Sequence, residues 1–276
     1  SAYNSLLVMA RKPAPVQVSY LGYAATTGLT AVDYRISDIY ADPPGTNDSH
    51  CTETLVHLPQ TAWVYMPPAD ATPVSPLPAL STGMLTFGSN NYFGKLSDTI
   101  LSCWMQVLLA VPNSRLIIKA KGTTSKVSRG RIECFMSQYH LDTERVQLID
   151  YIPAAEHFQH FSKIDIALDS YPYNGTTTTC ETLWMGIPVI TLVGEGHVSR
   201  VGYSLMTNIG LPQLTAQSVD QFVSIAQDLA SDLPRLADLR SGMRQRMIDS
   251  PIMDPVNLAR NIEALYRDMW KRWCQS

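Results

Sequence analysis

"DIALDSYPYNGTTTTCETLWMGIPVITL", residues 165–192, carries the fold class. An apolar run opens it, and proline, asparagine and glycine break that run. Helix-forming sequence follows, then the β-branched run "PVITL". Strand, loop, helix and strand in this order make one βαβ unit, whose two strands pair in parallel. Four consecutive threonines, Thr176 to Thr179, stand between loop and helix. β-Branched side chains lose χ1 freedom in a helix, so a run of them at its entrance needs a reason other than propensity. The first amides of a helix have no intrahelical acceptor, and such an end binds phosphate readily. A threonine-capped helix with no ligand explains the run equally well from local sequence.

The alternation continues on both sides of this unit. Upstream, "LTFGS" reads as a strand. "SDTILSCWMQVLLAVP" reads as a helix with Ser97 as its N-cap and Pro112 as its stop, and "RLIIKAKG" as a buried strand. "SRGRIECFMSQYHL" then reads as a helix, "VQLIDYI" as a strand and "AAEHFQHFSKI" as a short helix. Downstream, "SRVGYSLMTNIGL" and "SVDQFVSIAQDLASD" read as helices. The final "PVNLARNIEALYRDMWKRW" is amphipathic, with Leu258, Ile262, Leu265, Tyr266 and Met269 on one stripe. Strands alternating with helices of this length predict an α/β fold, a doubly wound parallel sheet covered on both faces.

The first 66 residues differ. "VQVSYLGY" (16–23) and "VDYRISD" (32–38) read as strands, "YADPPGTNDSH" (40–50) as a loop, and these few elements cannot close a core alone. Five prolines follow Met66 in a stretch without apolar periodicity. The expected organisation is therefore a partial lobe over 1–66, a linker over 67–80, a complete lobe over 81–250, and a terminal helix over 251–276. A chain that begins on serine and runs at once into strand-like sequence is expected to be part of a longer protein.

The 276 residues are 45% hydrophobic and 16% charged, an ordinary globular balance. The net charge of -3 supplies no electrostatic reason for a nucleic-acid or anionic-membrane partner. No apolar run reaches the roughly 20 residues of a membrane span. Five widely spaced cysteines without C-x-x-C argue for reduced thiols in a cytoplasmic protein, with no zinc site and no disulfide framework.

Ligands of doubly wound sheets bind beyond the carboxyl ends of the strands, which selects residues there. Gly175 lets a ligand approach the backbone, and Thr176, Thr177 and Thr178 offer hydroxyls and amides. Glu181 either complements the helix dipole or accepts from ribose hydroxyls. His157, Lys95 and Arg200 stand at other strand ends, Arg200 as a phosphate partner or a capping group. Neither a Walker loop nor a G-x-G-x-x-G fingerprint is present, and "GEGHVS" (194–199) lacks the third glycine. No D-x-D occurs to bridge a diphosphate through a metal, so no metal is expected and charge neutralisation falls to Lys95 and helix amides.

The blocks "RKPAPVQVSYLGYAATTGLTAVDYRISD", "FGSNNYFGKLS", "VPNSRLIIKAKG", "IPAAEHF", the opening segment, "SRVGYSLMTNIGL" and "SPIMDPVNLARNIEALYRDMW" resemble, in order, the catalytic region of O-linked N-acetylglucosaminyltransferases. The similarity points to bacterial members with tetratricopeptide repeats and to SPINDLY-type relatives. It implies a GT-B-type fold of two Rossmann-like lobes, of which this chain holds the donor-binding C-terminal lobe and a remnant of the N-terminal one. It also implies metal-independent, inverting transfer from UDP-N-acetylglucosamine to Ser or Thr of a protein acceptor, with no cofactor. On that mapping Lys95 neutralises the diphosphate, with Asn91 or Tyr92 near it, and is the catalytic candidate. His157 stacks near uracil, with the Ile152, Pro153 and Ala154 backbone at the base edge. Thr177 and Thr178 hold phosphate, Glu181 binds ribose, and Leu21 and Gly22 approach the sugar. Eukaryotic members carry His where this chain has Thr176, Asp where it has Glu181, and Lys near Ala154, differences that bear on the sugar more than on UDP. A nucleotide-binding or interaction module without turnover, and a UDP-sugar epimerase or hydrolase, are the competing expectations.

Overall fold

The computed structural model describes residues 5–69 and 71–275. After a single turn, α1 (Leu6–Met9), three strands follow: β1 (Val18–Ser19), β2 (Tyr34–Asp38) and β3 (Thr54–Leu58). They form a parallel sheet in the order β1-β2-β3. The expected strand over 16–23 shrinks to two paired residues. Leu21 takes a left-handed conformation (φ 63°), which turns the chain out of the sheet before Gly22.

A second sheet is built from the remaining elements. In chain order these are α2 (Ala79–Thr82), β4 (Leu85–Ser89), α3 (Asp98–Ala110), β5 (Ser114–Lys119), α4 (Lys126–Gln138) and β6 (Val146–Ile149). Then come α5 (Ala154–His160), β7 (Ile166–Leu168), α6 (Thr177–Trp184), β8 (Val189–Leu192), α7 (Val201–Asn208), β9 (Thr215–Ala216), α8 (Val219–Ser231), α9 (Leu233–Ile248) and α10 (Pro255–Gln275). The strand order is β6-β5-β4-β7-β8-β9, parallel throughout. Every residue of β4, β7 and β8 is buried, as expected of strands covered on both faces. Ser97 caps α3, its Oγ accepting from the Ile100 amide at 3.3 Å, and Ile100, Leu101, Trp104 and Leu108 disappear into the core.

Strand order reverses between β4 and β7. In such sheets the crevice outside the carboxyl ends at the reversal is where ligands sit. The loops after β4 and β7 therefore define the place to look.

The two sheets share a buried seam. Asp38, at the end of β2, accepts from Ser204 Oγ of α7 at 2.7 Å and from the Ala62 amide at 3.0 Å. The stretch 67–78 is strapped down by α9: Arg240 donates to Ser75 O at 2.8 Å and Arg244 to Thr72 O at 2.8 Å. Helix α10 packs back on β3, and Asn257 reaches Gln60 at 3.0 Å. Of its expected stripe, Met269 is buried and Leu258, Ile262 and Leu265 are partly buried, whereas Tyr266 is exposed.

Several elements escape the pattern reading, among them β3, α9 and β9. Helix α9 holds four arginines, and Arg240 is buried, so its core face does not read as apolar. Strand β9 is two residues long, below any periodicity. Helix α6 also begins inside the threonine run, at Thr177 rather than at Cys180. Among the described residues no helix is long and apolar enough to cross a membrane.

Candidate functional site

The loop from β7 to α6 is organised by a carboxylate. Asp169 Oδ1 accepts from the amides of Gly175 and Ser170, each at 2.8 Å, and from Asn91 Nδ2 at 3.2 Å. Its Oδ2 accepts from Thr191 Oγ1 at 3.0 Å. Burial pushes the Asp169 carboxyl up to about 6, against the opposing pull of these donors and of Lys95. A Cβ on Gly175 would lie 2.6 Å from Thr179 Oγ1, 2.7 Å from Thr178 Oγ1 and 2.9 Å from Asn91 Oδ1, so this position admits only glycine.

The loop delivers the start of α6 to the crevice. The amides of Thr177, Thr178 and Thr179 have no hydrogen-bond acceptor among the described residues; the Cys180 amide is the first to be paired, with Thr176 O at 3.0 Å. Thr177 is exposed and its hydroxyl is unbonded. Thr178 Oγ1 donates to Asn91 Oδ1 at 2.8 Å, so its amide rather than its hydroxyl is open to a ligand. Thr179 is buried packing. Three free donors stand at the positive end of the helix, the arrangement that favours an oxyanion.

Lys95 stands beside them. Its Nζ donates to Asn174 O at 3.0 Å and lies 3.9 Å from the centre of the Tyr173 ring. Burial lowers its ammonium from the ordinary lysine value, and the charge of Asp169 opposes this. Among the described residues no carboxylate forms an ion pair with it, so its charge is not already neutralised by a direct partner.

On the far side of α6 lies an open cavity of about 510 Å³, lined among others by Asn91, Tyr92, Lys119, Ile152, His157 and Glu181. Lys119 Nζ donates to His157 Nδ1, which leaves the ring proton on Nε2 for Glu181 Oε2 at 3.1 Å. Edge-on contacts with Phe158 and Phe161, at 5.2 and 5.1 Å, fix the imidazole plane. Tyr92 is exposed at the rim. Pro153 precedes α5 and Ala154 opens it; the side chain of Ala154 lies outside the described residues.

On the near side, at the seam, is a narrower cavity of about 250 Å³. Leu21 and Gly22 form one wall, Tyr173, Thr176, Thr177 and Cys180 another, and Trp63, Arg35 and His197 complete it. Leu21 is exposed there in its left-handed conformation, and the Gly22 amide donates to Tyr20 O at 2.8 Å. Burial pushes the Cys180 thiol up to about 12, so it is neutral.

The structure thus places Leu21, Gly22, Thr176 and Thr177 on one cavity and Asn91, Tyr92, Ile152, His157 and Glu181 on the other, while Lys95, Pro153, Ala154, Gly175 and Thr178 line neither. Arg200 stands apart: it donates to Tyr40 O at 3.0 Å and Gly194 O at 3.2 Å, a strut between loops. Sequence reading missed Lys119, Asp169 and His197. Lys119 and Asp169 each end an apolar run at the carboxyl end of a strand, the signal that could have exposed them. His197 had no such mark.

Residues 2–66 and 78–262 match the family model "Glycosyl transferase family 41". The chain is 45% identical over 275 residues to a Hordeum vulgare protein described as "Probable UDP-N-acetylglucosamine--peptide N-acetylglucosaminyltransferase SPINDLY", covering 99% of this chain and 29% of that one. An Arabidopsis thaliana protein of the same description is 45% identical over 276 residues, covering 100% of this chain and 30% of that one. The chain therefore spans about three tenths of the length of these relatives. Among solved structures, a K341M mutant of Thermobaculum terrenum O-GlcNAc transferase superposes with a TM-score of 0.88 at 34% identity, over 98% of this chain and 51% of that one. Sucrose-phosphate synthase from Thermosynechococcus elongatus, at 16% identity and a TM-score of 0.55 over 87% of this chain and 59% of that one, shares the fold alone. The parallel two-sheet architecture is GT-B-type, and the chain belongs to glycosyl transferase family 41.

Proposed function

We propose that this chain is the donor-binding part of an inverting, metal-independent protein glycosyltransferase that uses a UDP-sugar, UDP-N-acetylglucosamine being the donor in the relatives' names. The carrying observation is the set of unpaired amides of Thr177, Thr178 and Thr179 beside Lys95 at the point where the strand order reverses. The diphosphate sits on that helix end. The nucleoside extends into the cavity of His157 and Glu181, with Glu181 accepting from ribose hydroxyls, and the sugar extends into the seam cavity.

In the reaction a Ser or Thr hydroxyl oxygen of the protein acceptor attacks the anomeric carbon and gives up its proton to a general base or to solvent. The bond from that carbon to the β-phosphate oxygen breaks, and its electron pair leaves with UDP. Lys95 and the three amides meet the charge that develops there, and donors fixed before the reaction need no reorganisation. The boundary at 67–80, the return of α10 to the first sheet and a reducing, cytoplasmic setting for the five free thiols belong to this proposal.

Calorimetric titration of the chain with UDP and UDP-N-acetylglucosamine, alongside GDP and GDP-sugars, tests it. UDP binding that weakens at least tenfold in Lys95→Ala is the expected result. Absence of nucleotide binding, or binding untouched in Lys95→Ala combined with Thr178→Val, overturns the site; preference for guanosine overturns the uridine assignment. A transfer assay on the longer protein, with product analysis, separates transfer from epimerisation and hydrolysis. Binding without transfer there returns the chain to a nucleotide-binding module.

A further inference from the structure

A buried hydrogen-bond cluster at the seam holds His197, which lines the cavity beside α6. Asp42 is 1% exposed and its Oδ2 accepts from His197 Nδ1 at 2.6 Å, Ser37 Oγ at 2.6 Å and Arg35 Nη1 at 3.1 Å. Its Oδ1 accepts from Asn47 Nδ2 at 2.9 Å. Burial alone raises the Asp42 carboxyl, but the hydrogen bond from His197, then that from Ser37 and the charge of Arg35, outweigh it and hold the group well below the usual carboxylate range. An ionised carboxylate on Nδ1 keeps the proton there and leaves Nε2 with a lone pair. Among the described residues Nε2 has no partner, and His197 lines the seam cavity.

The position of the ring is enforced from several directions. Trp63 packs against it with ring centres 5.8 Å apart. The Asn174 amide donates to Val198 O at 2.9 Å, which ties the loop carrying His197 to the loop that presents α6. Asn47 reaches Glu195 O at 3.5 Å from the other sheet. A histidine whose Nδ1 hydrogen is held by a buried carboxylate, and whose other nitrogen is unpaired among the described residues, lines a cavity beside the start of α6 and is placed to hydrogen-bond a hydroxyl. The cavity, about 250 Å³, falls below the roughly 300–1,000 Å³ of sites for drug-sized ligands and suits a single ring.

We infer that His197 is a donor-sugar recognition residue: its Nε2 accepts a hydrogen bond from a hydroxyl of the sugar on the nucleotide diphosphate, and Asp42 is the positioning residue that fixes its tautomer. This rests on the proposed function, because the sugar reaches the cavity only if the diphosphate lies on α6. Nothing covalent is asked of the pair.

The test compares nucleotide with nucleotide-sugar on the 276-residue chain: UDP against UDP-N-acetylglucosamine, and GDP against GDP-mannose. His197→Phe keeps a flat ring against Trp63 and removes the acceptor. Its expected effect is a loss of about tenfold in affinity for the sugar nucleotide, with affinity for the bare nucleotide unchanged. Asp42→Asn donates to Nδ1, moves the ring proton to Nε2, and is expected to give the same sugar-selective loss. Equal weakening of nucleotide and sugar nucleotide in His197→Phe, or no change in either, overturns the inference and leaves the pair as a strut between sheets. Failure of the unsubstituted chain to bind either nucleotide overturns the proposed function, and this assignment with it.

Discussion

Asp169 Oδ1 lies 2.8 Å from the amide nitrogen of Gly175, so a buried carboxylate six residues upstream shapes the loop from which helix α6 begins. Removing it in Asp169→Ala leaves the Gly175 and Ser170 amides and Asn91 without an acceptor, at about 1–3 kcal/mol for each buried donor. The expected outcome is a clear drop in melting temperature together with loss of nucleotide binding. Gly175→Ala separates the two effects. Its Cβ strikes the Thr178 and Thr179 hydroxyls, so nucleotide affinity is expected to fall more than tenfold with a smaller thermal change. Gly130→Ala, inside α4 with nothing within 4 Å of the added Cβ, is the control and is expected to stabilise by about 1 kcal/mol.

Lys119 adds a residue the sequence reading did not name to the cavity proposed for the nucleoside. It holds His157 in the tautomer that donates to Glu181, so Lys119→Met frees the ring to turn. Calorimetry is expected to show about tenfold weaker nucleotide binding with an unchanged melting temperature, since the group is only partly buried. A parallel loss of stability would assign Lys119 to the fold instead.

His160 sets an acid limit on stability. It is buried, and both ring nitrogens lack partners among the described residues. Burial, with Lys119, Lys163 and His157 adding to it, lowers its pKa from 6.5 to about 4. The unfolded chain therefore binds this proton more readily, and stability from the group is complete above pH 6.5 and drains away as pH falls through about 4. His160→Leu cannot titrate. Denaturant midpoints measured from pH 7 to pH 4 are expected to fall less steeply in the variant than in the parent.

Arg240 ties the proline-rich stretch to the larger sheet. It donates to Ser75 O and Ile164 O, both at 2.8 Å, and to Ser75 Oγ at 2.9 Å. Hydrogen bonds from a charged donor contribute about 1.5–3 kcal/mol each, so Arg240→Ala is expected to destabilise strongly. Limited proteolysis should then find new cleavage between residues 67 and 78; an unchanged pattern would show that other contacts hold the strap.

Much of the fold was legible because its signals are local. Alternation of apolar strands with capped helices from Leu85 onward, the stop at Pro112 and the Ser97 cap each lie within a few residues, and the sheet formed as that pattern required. Helix α9 was not legible, because a buried arginine satisfied by Ser75 and Ile164 looks like a surface residue until the fold brings its acceptors. That a helix starts near the threonines after Gly175 was readable from the sequence. Its division of labour was not: the Thr178 hydroxyl turns out to be committed to Asn91, 87 residues away.

By itself the sequence determined a parallel α/β sheet, its strand-end loops and a helix start unsuited to anything but a ligand or a cap, since propensity and periodicity act between near neighbours. Only the tertiary structure decided which strand ends meet at the reversal between β4 and β7. It also placed Lys119 behind His157 and Asp42 behind His197. Hydrogen bonds between residues 38 and 155 positions apart exist only after the chain has closed its loops, and their geometry is a property of packing rather than of any segment.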